Sequence, residues 1–76
     1  MKIKYQNRTE YRNKQGELHR TNGPAKIWQD GTQFYYQNGI YHREDGPAVI
    51  WPDGLQEYWQ NGKRLTKDEY ENQLSR

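Results

Sequence analysis

Gly46-Pro47-Ala48-Val49-Ile50-Trp51-Pro52-Asp53-Gly54 repeats, with two substitutions, Gly23-Pro24-Ala25-Lys26-Ile27-Trp28-Gln29-Asp30-Gly31, which stands 23 positions earlier. The same step carries Gln37-Asn38-Gly39 onto Gln60-Asn61-Gly62 and His19-Arg20 onto His42-Arg43, and it spaces Gly16, Gly39 and Gly62. Self-similarity at one fixed period marks a chain built by stacking a supersecondary unit. Moving backward, Trp28 falls on Tyr5 and Asp45 on Asn22, so a degraded first copy precedes the two clear ones.

Turn chemistry gives the unit its structure. Asp-Gly and Asn-Gly supply the positive φ angles that tight hairpin turns demand, and the residues between them are rich in aromatic and β-branched side chains. The expectation is a strand over 25–29, a two-residue turn at Asp30-Gly31, a strand over 32–37, a turn at Asn38-Gly39 and a short strand over 40–43. Pro24 and Pro47 fit strand starts, where a missing ladder donor costs least. Alternation sets Lys26 and Trp28 opposite Ala25 and Ile27, and Phe34 and Tyr36 opposite Tyr35. After Gly62 the pattern changes. Thr66 with Glu69 makes a capping box, Asp68, Glu69 and Glu71 sit near the positive helix end, and Tyr70 with Leu74 forms an i, i+4 pair. The reading is an all-β, single-layer antiparallel meander of about three 23-residue hairpin units, closed by a short C-terminal capping helix over the open sheet edge. The units divide at about 1–20, 21–43 and 44–66, with the helix at 67–74, in one domain of 76 residues.

Composition limits what such a chain can do. Only 30% of the residues are hydrophobic, but three Trp, seven Tyr and one Phe make the core aromatic by necessity. Without cysteine there is no disulfide framework and no thiolate site, which fits a reducing, cytoplasmic compartment. No apolar run approaches a signal h-region or a membrane span. A formal charge of +2 does not by itself imply a nucleic-acid or membrane partner.

An aromatic strand, Asp-Gly, a second aromatic strand, Asn-Gly and then His before a further glycine turn, all in a 23-residue cycle, resemble the MORN repeat family. His42-Arg43-Glu44-Asp45-Gly46-Pro47-Ala48-Val49-Ile50-Trp51 is more similar still to a variant repeat in small uncharacterised proteins of bacteriophages and large DNA viruses. The resemblance covers roughly residues 3–66. It implies β-hairpin modules without catalytic residues or cofactors, serving as scaffolds or contact surfaces. The phage-like variant implies an accessory protein that binds and inhibits a host defence or regulatory protein, an anti-CRISPR or other anti-defence function among them. His-Arg and Gly-Pro-Ala replace the usual His-Gly and Gly-x-Gly, so the partners of ordinary MORN repeats do not transfer.

No catalytic or metal-ligating constellation is legible: two histidines and ten carboxylates show no ligand spacing, and no phosphate-cradling glycine pattern occurs. The His-Arg pairs recur at the repeat period and are read first as scaffold, with His42 and Arg43 kept as candidate contacts. Positions that differ between copies are free to make specific contacts, which selects Arg12, Tyr35 and Tyr58 as one stripe, together with Phe34, Glu57 and Lys26. Protein docking is the leading expectation, because Tyr, Trp and Arg suit interface anchors. Binding of RNA, single-stranded DNA or a nucleotide signal on a basic aromatic platform is the competing one. Self-association through the sheet edge or the aromatic face is a third route to a partner.

Overall fold

The computed structural model describes residues 1–74 and, among them, nine strands and one helix. These are β1 (Lys2–Lys4), β2 (Arg8–Tyr11), β3 (Lys26–Trp28), β4 (Gln33–Phe34), β5 (Tyr36–Gln37), β6 (Ile40–Tyr41), β7 (Val49–Ile50), β8 (Gln56–Gln60), β9 (Lys63–Leu65) and α1 (Lys67–Leu74). Every strand pairing is antiparallel. Seven strands form one sheet in the order β1-β2-β3-β4-β7-β8-β9, and β5 pairs with β6 beside it. The protein is therefore all-β with a C-terminal helix.

Asn-Gly behaves as its chemistry requires. Asn38 and Gly39 have φ of 51° and 82°, Asn61 and Gly62 of 52° and 78°, the two left-handed residues of a type I′ hairpin. Asp-Gly behaves differently from the two-residue turn expected of it. Gly31 donates to the Trp28 carbonyl at 3.0 Å and Trp28 donates to that of Thr32 at 2.9 Å, so the loop has three residues with only Gly31 left-handed (φ 98°). The Asp30 carboxylate fixes it, accepting the Thr32 amide at 2.9 Å and hydroxyl at 2.7 Å.

The strand expected over 32–37 is interrupted at Tyr35, between β4 and β5. Tyr35 donates its amide to the Ala48 carbonyl (2.7 Å) and accepts the His42 amide on its own carbonyl (3.1 Å). Two stretches of the following chain thus share one side of it, 40–43 first and 48–50 next, while 44–47 loops out between them. At the C-terminal end β8 is continuous: its first residues pair with β7 and Tyr58–Gln60 pair with β9.

The buried side chains are few: Ala25, Ala48, Val49, Leu65 and Tyr70, with Glu10 and Thr32 among polar residues. The molecule measures 39 × 29 × 17 Å, and its thin dimension is that of one sheet with its side chains. Half-buried rings carry most of the apolar contact instead. The capping box forms as the spacing predicts: Glu69 Oε1 accepts the Thr66 amide at 2.9 Å, and Thr66 Oγ1 accepts the Glu69 amide at 3.1 Å. Tyr70 stacks on Tyr58 with ring centres 4.3 Å apart, so the helix lies over a face of the β8–β9 hairpin and not along its outer edge. The Leu74 side chain, and with it the expected Tyr70–Leu74 pair, lies outside the described residues.

Candidate interaction face

Alternation along the strands sends Phe34, Tyr36, Trp51 and Trp59 to one face, where they meet. Phe34 sits edge-on to Trp51 (5.7 Å) and stacked against Tyr41 (5.9 Å); Tyr36 stacks on Tyr41 at 4.6 Å, and Tyr41 reaches Trp59 at 5.1 Å. The rings form an unbroken chain across the sheet. Glu57 ties its ends, accepting Nε1–H of Trp51 and of Trp59, each at 3.0 Å. Those two indole donors hold the Glu57 carboxyl below the ordinary carboxylate range. Burial and a hydrogen bond with the Tyr41 phenol keep Tyr36 protonated far above the usual phenol range.

Nearer the N-terminus the same face is ionic. Glu10, 2% exposed, accepts Arg8 Nε at 2.7 Å and Arg12 Nη2 at 2.8 Å, with Lys26 Nζ at 3.9 Å. Burial alone would raise the Glu10 carboxyl, but the two guanidinium hydrogen bonds and their charges outweigh it and hold it below its ordinary value. The cations also cover rings: Arg8 lies 4.0 Å from the Tyr5 centre and 5.4 Å from that of Trp28, and Lys26 lies 4.7 Å from Trp28.

The opposite face repeats a different motif. The Arg20 guanidinium covers Tyr11 at 3.9 Å and that of Arg43 covers Tyr35 at 4.0 Å. Arg43 is pinned there by Asp45 Oδ1 (3.1 Å) and the Pro47 carbonyl (3.1 Å), and Arg20 by Asn22 (3.2 Å) and the Pro24 carbonyl (3.2 Å). A Cβ on Gly46 would lie 2.7 Å from Arg43 Cζ, which explains a glycine at that place. Over Tyr58 the ring of Tyr70 occupies the same seat. His19 Nδ1 accepts the Asn38 amide and His42 Nδ1 the Asn61 amide, both at 3.0 Å, so each neutral imidazole carries its proton on Nε2.

The candidate residues read from sequence therefore separate into four places. Tyr35, His42 and Arg43 meet in an open polar hollow of about 430 Å³ that Arg20 and Gln37 also line. Phe34 and Glu57 belong to the ring chain, Arg12 and Lys26 to the Glu10 cluster, and Tyr58 lies under the helix. Arg12, Tyr35 and Tyr58 do not form one stripe. Tyr11 donates its amide to the Ala25 carbonyl as Tyr35 does to that of Ala48, both at 2.7 Å, so Tyr11 is the counterpart of Tyr35, and Glu10 of Phe34 and Glu57. Trp28, Trp51, Tyr41, Trp59 and Arg8 complete the face without having been singled out. The dipeptides Glu10-Tyr11, Phe34-Tyr35 and Glu57-Tyr58 carried the signal for the true register.

Architecture and surface together define an antiparallel β-sheet protein with an aromatic face, a C-terminal helix and no helix among its described residues long and apolar enough to cross a membrane. Compared with known proteins, the chain matches no family model, no curated protein and no solved structure.

Proposed function

We propose that the chain is a MORN-like repeat protein of about three 23-residue hairpin units that acts without catalysis, by docking its aromatic face on a partner protein. In the setting its resemblance implies, it is phage-encoded and cytoplasmic, and the partner is a host defence or regulatory protein that the docking occludes. The supporting observation is the exposure of the rings: of eleven aromatic side chains only Tyr70 is buried, and the other ten keep accessible surface. Rigid, half-exposed Tyr and Trp beside Arg are the anchors that protein interfaces favour. A second reading, binding of RNA, single-stranded DNA or a nucleotide, draws support from the cation–ring pairs of Arg8 and Lys26 with Tyr5 and Trp28.

The test is capture of partners from host lysate with nuclease treatment and a salt series, compared with a Trp28→Ser/Trp51→Ser variant. A stoichiometric protein that survives nuclease and high salt, and is lost in the folded variant, is the expected result. Recovery of nucleic acid alone, with steep loss as salt rises, would select the second reading. A protein partner retained by the variant would move the interface off this face.

A further inference from the structure

We propose that the chain associates head to tail with a second copy of itself, β1 of one molecule adding to the sheet beside β8 of the next. The two sheet ends are complementary in a way the interior already displays. Within the chain, β3 lies on the outer side of β2 in the register Arg8↔Trp28, Thr9↔Ile27, Glu10↔Lys26, and β7 lies on the outer side of β4 as Gln33↔Ile50, Phe34↔Val49. Beyond these paired residues Tyr11 and Tyr35 each donate an amide to an alanine carbonyl at 2.7 Å. The counterpart stretch of β8 has β7 on one side only. Trp51 donates to the Leu55 carbonyl (2.9 Å) and Ala48 to that of Glu57 (2.8 Å), so alternation turns the backbone groups of Gln56 outward. β9 takes up pairing only from Tyr58 onward, and the chain then leaves the edge as α1. What remains is an open groove of about 470 Å³, lined by Leu55, Gln56, Tyr58, Leu65 and Lys67 among others.

The matching end is β1. Tyr5 donates its amide to the Arg8 carbonyl and the Met1 carbonyl accepts the Arg12 amide (2.8 Å each), which turns the backbone N–H and C=O of Lys2 and Lys4 away from β2. No strand among the described residues lies on that side. Carrying the interior register across two molecules pairs Gln56 with Lys4 of the second copy, Leu55 with its Tyr5 and Glu57 with its Ile3, as far as Tyr58, where β9 already pairs.

Exposure follows the same assignment. Met1 (84%) and Tyr5 (39%) stand at the β1 end and Leu55 (65%) at the β8 end, three of the five large apolar side chains the surface leaves exposed. The register covers Tyr5 with Leu55. Lysines guard many natural edges against such pairing; Lys2 and Lys4 share the face opposite Ile3, so their side chains stand off the edge while their backbone groups are offered to it. The contact joins two different surfaces, so it propagates instead of closing after one pair.

Sedimentation or light scattering over a concentration series reaching the millimolar range tests this directly. The wild-type chain is expected to grow past a dimer as concentration rises. Gln56→Pro and Lys4→Pro each remove one outward amide that the monomer does not use, and each alone should stay monomeric with an unchanged near-UV spectrum. Mixed one to one, the two variants should form dimers and nothing larger, because one keeps a sound β1 and the other a sound β8. If a proline variant unfolds, Leu55→Asp and Tyr5→Asp at exposed side chains carry the same test, each weakening association about tenfold or more. A wild-type monomer at every concentration, a closed dimer indifferent to these substitutions, or a mixture that stays monomeric would overturn the proposal. So would a foreign extended peptide occupying β8 while the chain itself remains monomeric.

Discussion

Glu10 and Phe34 occupy the same place in the sheet and hold it in opposite ways. Around Glu10 a buried carboxylate gathers Arg8, Arg12 and Lys26. Around Phe34, 24 residues on, the rings of Tyr36, Tyr41 and Trp51 gather instead. Glu57 is intermediate, a carboxylate satisfied by indole N–H groups. What is maintained is a neighbourhood whose members change together; neither residue would serve in the other's surroundings.

Exchange breaks that contrast most sharply. Phe34→Glu sets a half-buried carboxylate among rings, with its cross-strand neighbour Lys26 already drawn to Glu10, and urea titration should show a loss of about 3 kcal/mol. Glu10→Leu leaves three cations facing one another, but each can turn partly into water, so the expected loss is smaller, about 2 kcal/mol by the same measurement. Thr66→Ala removes one half of the capping box and should cost about 1 kcal/mol, with far-UV loss of helical signal ahead of sheet melting. Glu57→Gln keeps an oxygen for one indole but turns an NH2 toward the other, and should cost roughly 1 kcal/mol.

Acid sharpens the same contrast by charge alone. Glu10 and Glu57 are held below the ordinary carboxylate range when folded, so their contribution is complete above that range and disappears as pH falls through their depressed values. A Glu10→Gln/Glu57→Gln chain should therefore show a flatter acid limb in a plot of melting temperature against pH. Phe34→Leu, which alters no charge, should lower the whole curve without changing that limb.

Much of the fold was legible because turn residues have few alternatives. Asn38-Gly39 and Asn61-Gly62 fix two hairpins, and Thr66 with Glu69 fixes the helix start at Lys67. The candidate site was harder to read, and one cause is specific. The first stretch turns after β1 through Gln6-Asn7, a two-residue loop, and after β2 through Lys14-Gln15-Gly16, a three-residue one. The later copies reverse that order, with three residues first and two second. The exchanged lengths cancel, so Gly16, Gly39 and Gly62 stay evenly spaced while the strand between the loops slips by one residue. A slip of one moves a side chain to the other face, which is how Arg12 came to be aligned with Tyr35. Arg43 and His42 raised a different difficulty, since their engagement with Tyr35 and with the Asn61 amide depends on contacts that spacing alone does not reveal.

The seat above each face tyrosine is also a stop signal. Arg20 and Arg43 fill it while the chain goes on to make another strand; Tyr70 fills it once the chain has turned into a helix. Length is thereby separated from termination. Inserting a second copy of residues 43–65 ahead of Thr66 should lengthen the sheet by two strands, about 10 Å, and hand the helix intact to the new last tyrosine. A sheet of this construction can be measured out in length as one cuts a ruler.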